Sequence, residues 1–242
     1  DGEYGYIEIK EKDFNKEIKL ILKDKNLVGL NITTPYKEKV ISCLKQLSEK
    51  TPYSISHHSS NIGAINLITK RVISSKTGRL GWFGDNTDFI GFKKSLEKNQ
   101  KKYEKKKAIV IGFGGASKAI IYSLILQRFE EINVFNRNFE KLLEKLNSWE
   151  KKMYFPAYGH AIKPYKLEDL NIHIKNADLI VNTTPANVLD SHKVWNINAK
   201  TMGFDIVYKP REGTGFLEHF EPHNRIEGIL MLVYQAAPCF KL

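Results

Sequence analysis

An apolar run, Lys107-Ala-Ile-Val-Ile111, stops at Gly112-Phe-Gly-Gly-Ala-Ser117, and a helical pattern follows from Ala116 to Gln127. A strand that passes through glycines into a helix is tightly constrained, because only glycine admits the backbone angles and close approaches of such a turn. The pattern then repeats, with a strand at Glu131 to Phe135, a helix at Phe139 to Leu146, and strands at Ala177 to Asn182 and Met202 to Val207. Alternating strands and helices predict a parallel sheet with helices on both faces. At the turn, Gly112, Gly114 and Gly115 would let the backbone approach a pyrophosphate seated on the helix N-terminus, where free N–H groups and the dipole favour negative charge.

A dinucleotide site of this kind distinguishes its ligands about 20 residues on, where a carboxylate holds ribose hydroxyls and a basic residue suits a 2′-phosphate. This chain has Asn136-Arg137-Asn138 at the end of the next strand, with Lys141 one turn later. A planar guanidinium matches phosphate well. The expectation is therefore NADP over NAD, read by Arg137 and Lys141.

Ahead of the glycine turn, Tyr4 to Lys10 alternates like a strand, and Asp13 to Lys25 carries Phe14, Ile18, Ile21 and Leu22 at helical spacing, with Asp13 as N-cap. A strand at Leu27 to Thr33, a helix at Pro35 to Leu47, a strand at Ile65 to Ile73, a polar loop and a helix at Thr87 to Leu96 follow. On a strand Asn31 and Thr33 share a face, and Pro35 at a first helical position would carry Lys37 onto the opening turn. Asp88, flanked by amide and hydroxyl groups, is a candidate partner for that lysine. Gly228 to Phe240 reads as a final helix.

At 242 residues and 42% hydrophobic content the chain can bury a full core, either as two modest domains or as one large one. No apolar run approaches the roughly 20 residues of a membrane span, and no signal peptide opens the chain. Cys43 and Cys239 are far apart with no metal-like spacing, which fits a reducing, cytoplasmic setting. The net charge of +11 invites a nucleic-acid reading. However, the densest cluster, Lys101 to Lys107, reads as a solvated connection, and a basic surface suits an anionic substrate and a phosphorylated cofactor equally well. His219 and His223 stand four apart, but Pro222 between them argues against a helical metal pair, so no metal is expected.

Asn31-Ile-Thr-Thr-Pro-Tyr-Lys37 and Asn86-Thr-Asp-Phe-Ile-Gly91 resemble two signatures of the shikimate dehydrogenase family. Gly63-Ala-Ile-Asn66, the glycine turn, Asn136-Arg137, Asn182-Thr-Thr-Pro185, Asp205-Ile-Val-Tyr208 and Gly228 to Gln235 follow in that family's order. The resemblance implies two α/β domains: a substrate domain over residues 1–97, and a Rossmann-type NADP domain over 98–218. A C-terminal segment, 219–242, would return to the substrate domain. It places Thr33, Asn66, Asp88, Tyr208 and Gln235 in the substrate cleft. Gly112, Gly114, Gly115, Ala116, Ser117, Asn136, Arg137, Lys141 and Gly228 would line the cofactor site, with Thr184, Val207 and Met231 at its nicotinamide half.

Oxidising a ring alcohol removes a hydroxyl proton while a hydride leaves the same carbon, so a proton shuttle must stand beside the cofactor. Lys37 and Asp88 are the expected catalytic pair. The implied reaction interconverts shikimate and 3-dehydroshikimate on the route to aromatic amino acids, in a monomer or homodimer with a small-molecule substrate and no nucleic-acid or membrane partner. The alternatives are a quinate-using relative with NAD or NADP, and a non-catalytic ligand-sensing relative, which would be expected to lack Lys37 or Asp88. The family's Ser-x-Ser-Pro-x-x-His segment has no counterpart before Asn31, which implies that a first strand and helix lie outside this numbering. Ser54-Ile-Ser56-His57 comes after the lysine motif and is not assigned to that role. Asn187 stands where the family usually has glycine, and Thr214 one position later than the usual threonine.

Overall fold

The computed structural model describes residues 3–47, 52–98, 106–151, 161–186, 188–189, 194–208 and 214–240. Residues 101–105 of the basic connection and Asn187 lie outside the described residues.

The first half contains α1 (Phe14–Ile21), β1 (Gly29–Asn31), α2 (Lys39–Leu47), β2 (Tyr53–Ile55), α3 (His57–Ile62), β3 (Leu67–Ser74), β4 (Arg79–Asp85) and α4 (Asp88–Glu97). Its four strands run in the order β1-β3-β4-β2. β3 is antiparallel to both β1 and β4, whereas β2 joins β4 in parallel. Phe14 and Ile18 of α1 and Val40, Cys43 and Leu44 of α2 pack with Ile68 and Trp82 of the sheet. Each such buried aliphatic side chain contributes about 1.5–3 kcal/mol. The buried Trp82 indole donates to the Leu22 carbonyl at 3.1 Å, so its polar edge is satisfied.

The second half contains β5 (Lys107–Ile111), α5 (Gly115–Leu126), β6 (Glu131–Asn136), α6 (Phe139–Glu150), β7 (Ala161–Lys166), α7 (Leu170–His173), β8 (Leu179–Asn182), β9 (Met202–Asp205), β10 (Arg225–Glu227) and α8 (Gly228–Ala236). Its six strands run β10-β9-β8-β5-β6-β7, every pair parallel. The central strand alternates between two cores: Ala108 and Val110 join one, Ile109 and Ile111 the other. A sheet covered on both faces needs such apolar strands.

α5 is apolar around its circumference because it is covered twice. Ile120, Ile121 and Leu124 face the parallel sheet's core, while Ala119 and Tyr122 pack with Ile62, Ala64 and Phe89 of the first half. α8 returns to lie along α4. A Cβ on Gly91 would stand 2.6 Å from the Met231 carbonyl, so only glycine permits this approach.

Several expected elements differ. Residues 3–10 hold no regular structure, and Tyr4, Tyr6 and Ile7 are exposed, so the alternation there serves no sheet. The strand ending in the lysine motif stops at Asn31, and Asp13 makes no side-chain cap on α1. Pro35 does not open α2. The Thr34–Pro35 bond is cis, the Tyr36 N–H bonds the Thr33 carbonyl, and the Tyr36 ring stacks on Phe14, so a turn occupies residues 34–38 and the helix starts at Lys39. The supposed polar loop after β3 is β4.

Candidate active site

Lys37 lies in the turn before α2, and its backbone carbonyl accepts the Ile65 N–H at 2.8 Å. Its ammonium reaches Asp88 Oδ2 at 2.7 Å. Asp88 is the first residue of α4, where a helix N-terminus favours a carboxylate, and its N–H donates to Asn86 Oδ1 at 3.0 Å. The side chains of Lys37 and Asp88 are 16% and 5% exposed. Shielding of this degree makes the pair more than an exposed ion pair of up to about 1 kcal/mol.

Asn66 completes the cluster. Its amide nitrogen lies within 2.9–3.0 Å of Asp88 Oδ1, Thr87 Oγ1 and Gln235 Oε1. Its amide oxygen accepts the Thr87 N–H at 2.7 Å. Three separated stretches, around residues 37, 66 and 88, thus meet Gln235 of α8. Thr87 was not among the sequence-derived site residues, although the polar triplet Asn86-Thr87-Asp88 carried the signal. Thr33 and Tyr208 are exposed and stand outside this hydrogen-bonded cluster.

The glycine turn lies directly against Lys37. Gly112 has φ +102°, and a Cβ there would fall 2.5 Å from Thr183 Oγ1. A Cβ on Gly115 would sit 3.2 Å from Lys37 Cβ, whereas one on Gly114 would meet nothing within 4 Å. The turn is therefore closed toward Lys37 and open at Gly114, as a pyrophosphate cradle requires. Half-buried Ala116 belongs to the same first turn of α5. Ser117 is buried instead. Its hydroxyl accepts the Gly114 N–H at 3.2 Å and lies 2.6 Å from Thr183 Oγ1, so it shapes the turn from within.

Beyond the turn, an open pocket of about 730 Å³ is lined by Phe113, Asn136, Arg137, Asn138, Lys141 and Lys145, among others. Asn138 Oδ1 caps α6 by accepting the Lys141 N–H at 2.8 Å, and exposed Arg137 and Lys141 flank that helix start. Cationic side chains around a helix N-terminus, in an open space, fit a phosphate-bearing nucleotide. Lys145 was missed in the sequence because it sits a further turn along the helix, inside an ordinary amphipathic pattern.

At the ends of β8 and β9 the chain is tied by side chains. Asn182 Oδ1 accepts from the Thr184 N–H at 3.0 Å and hydroxyl at 2.9 Å. Buried Asp205 accepts from Thr214 Oγ1 at 2.5 Å, the Val207 N–H at 3.0 Å and Asn182 Nδ2 at 3.2 Å. Burial pushes the Asp205 carboxyl above its usual range despite these donors. Thr214, though displaced by one position, still reaches the aspartate. Gly228 admits α8 against this corner, since a Cβ would meet the Ile206 carbonyl oxygen at 2.4 Å, and Met231 is buried beneath it. Among the described residues no helix is long and apolar enough to cross a membrane.

Comparison with known proteins agrees with this arrangement. Residues 1–68 match the shikimate dehydrogenase substrate binding domain, and residues 94–212 match the shikimate / quinate 5-dehydrogenase family. The NADP(+) shikimate dehydrogenase of Halothermothrix orenii is 34% identical over 249 residues, covering 99% of this chain and 80% of that protein. The shikimate dehydrogenase structure from Aquifex aeolicus superposes with a TM-score of 0.69 at 27% identity, over 96% of this chain and 77% of the other. A shikimate dehydrogenase solved in complex with NADP+ gives a TM-score of 0.71 at 25% identity, over 96% and 76%. With two α/β units joined through a glycine turn and a lysine-bearing turn, the chain belongs to the shikimate dehydrogenase family.

Proposed function

We propose that this protein is an NADP-dependent shikimate dehydrogenase, interconverting shikimate and 3-dehydroshikimate, with Lys37 and Asp88 assisting proton transfer. The observation that carries the reading is the 2.7 Å Lys37–Asp88 pair packed against the first turn of α5. NADP, when bound, supplies the hydride acceptor for the ring carbon. Arg137 and Lys141 would hold its 2′-phosphate, and the N–H groups of Gly115 and Ala116, beside the open face at Gly114, would receive its pyrophosphate.

In the reducing direction the Lys37 ammonium gives a proton to the carbonyl oxygen as negative charge develops there, directly or through water; in the oxidising direction Nζ first releases its own proton to solvent and the neutral amine then takes up the hydroxyl proton. Asp88 orients the ammonium through Oδ2, while Oδ1 is held by Asn66. Asn66, Gln235 and Thr33 are the groups assigned to the ring hydroxyls, which would exchange the Asn66–Gln235 hydrogen bond for contacts to substrate. The preference for NADP over NAD follows from a basic Arg137-Asn138 strand end where a carboxylate would hold an unphosphorylated ribose.

The test is nicotinamide absorbance with shikimate or quinate and NADP or NAD. Shikimate with NADP should give the highest kcat/KM, and no reduction with any pairing would overturn the assignment. Lys37→Ala should lower kcat by roughly 10²- to 10⁴-fold. A raised KM at unchanged kcat would instead make Lys37 a binding group.

A further inference from the structure

Glu38 follows Lys37 directly, and its carboxylate accepts a hydrogen bond from Lys118 Nζ at 2.7 Å. Lys118 belongs to the first turn of α5, so this ion pair ties the lysine-bearing turn to the helix that opens at the glycine turn. The position is costly for a cation. Lys118 is only 7% exposed, and a helix N-terminus disfavours positive charge. A Phe113 ring 5.6 Å from Nζ offsets part of this, and Glu38 supplies the opposite charge.

The pair is also not what keeps the two halves together. Trp149 Nε1 donates to the Asn61 carbonyl at 2.8 Å, and His58 Nδ1 meets the Tyr122 hydroxyl at 2.8 Å, both across the same interface. Glu38 and Lys118 instead stand at the edge of a cleft of about 590 Å³ that also borders Ser42, Lys145 and Trp149. What the pair does fix is residue 38. Ile65 holds the Lys37 carbonyl from one side, and Lys118 pulls the next residue from the other.

We infer that Glu38 and Lys118 are positioning residues, a strut that sets Lys37 against the cofactor turn so that its ammonium meets the reacting oxygen. This rests on the reading of Lys37 as the proton-transfer group. Neither residue touches substrate in this role; each acts through the backbone of Lys37. Displacement of a reacting group by about 1 Å can cost 10²-fold, so even partial relaxation of the strut reaches turnover.

Steady-state kinetics of Glu38→Gln, Lys118→Met, Lys118→Arg and Lys37→Met test this, with thermal unfolding alongside. Glu38→Gln keeps side-chain volume at a partly exposed position, which preserves the fold. Glu38→Gln and Lys118→Met should each lower kcat roughly tenfold with the shikimate KM within about twofold, and Lys118→Arg should stay within about threefold of the parent kcat. Unchanged kcat in both neutralised variants, with Lys37→Met inactive, would overturn the strut while leaving the role of Lys37 intact. A higher KM for NADP at unchanged kcat would make Lys118 a binding contact and equally overturn it. An active Lys37→Met would remove the underlying reading itself.

Discussion

The cluster around Asp88 and the pocket around Arg137 are built in opposite ways. In the first, Lys37, Asn66, Thr87, Asp88 and Gln235 satisfy one another within the protein. In the second, Arg137 and Lys141 are exposed around an open space beside a capped helix start and an Asn136 side chain that accepts the Asn138 N–H. The difference fits the role proposed for each region. In the proposed roles, proton transfer would depend on geometry to a fraction of an ångström, which a cluster held in advance would provide. Recognition of a phosphate depends mainly on charge and on donors that can adjust, so flexible side chains suffice.

The sharpest way to break this contrast is Asn66→Ala. It removes a donor to Asp88 and leaves the buried Thr87 N–H unpaired, costing about 1–3 kcal/mol of stability. Loss of carboxylate orientation should lower kcat by roughly 10²-fold, measured with saturating substrates. If kcat and unfolding temperature both held, the cluster would not be preorganised at all. Arg137→Ala should act differently, lowering the ratio of NADP to NAD efficiency by roughly ten- to a hundredfold, as expected for a lost charge-assisted contact. Its unfolding free energy should stay within about 0.5 kcal/mol of the parent, the usual range for an exposed substitution.

A third, smaller test uses the other end of the strand that carries Asn136. Lys163, bonded at 2.6 Å, holds the Glu131 carboxyl at about 2, well below its usual 4.5. A depressed folded value means that the ionised pair stabilises fully above pH 4.5 and loses this contribution as pH falls toward about 2. Glu131→Gln should therefore lower the unfolding temperature modestly at pH 7, with the gap closing between those limits and kcat unaffected. A pH-independent gap would show that the glutamate's charge contributes nothing there.

Which parts were legible in the sequence follows from how local their causes are. The unit from Lys107 to Leu126 was clear because an apolar strand, its glycines and the helix adjoin. β4 was missed because Gly81 and Gly84 look like loop residues, whereas they are small for packing reasons. A Cβ at Gly81 would fall 2.2 Å from the Pro52 carbonyl oxygen, and one at Gly84 would fall 2.5 Å from Ile65 Cδ1. The start of α2 was misplaced because Tyr36 packs on Phe14, a partner 22 positions away that no local pattern announces. Lys37 and Asp88 were identifiable as motifs, but Glu38 and Lys118 look like ordinary charges on amphipathic segments until the fold brings them together.

Asn66 and Gln235 are separated by 169 residues, and the whole parallel sheet lies between them in the chain. On the ribosome, the polar cluster of the first half therefore waits, one amide short, until the glycine turn and every strand of the second sheet have been synthesised. The order of translation therefore leaves this hydrogen-bonded cluster incomplete until the glycine turn and the sheet beside it exist.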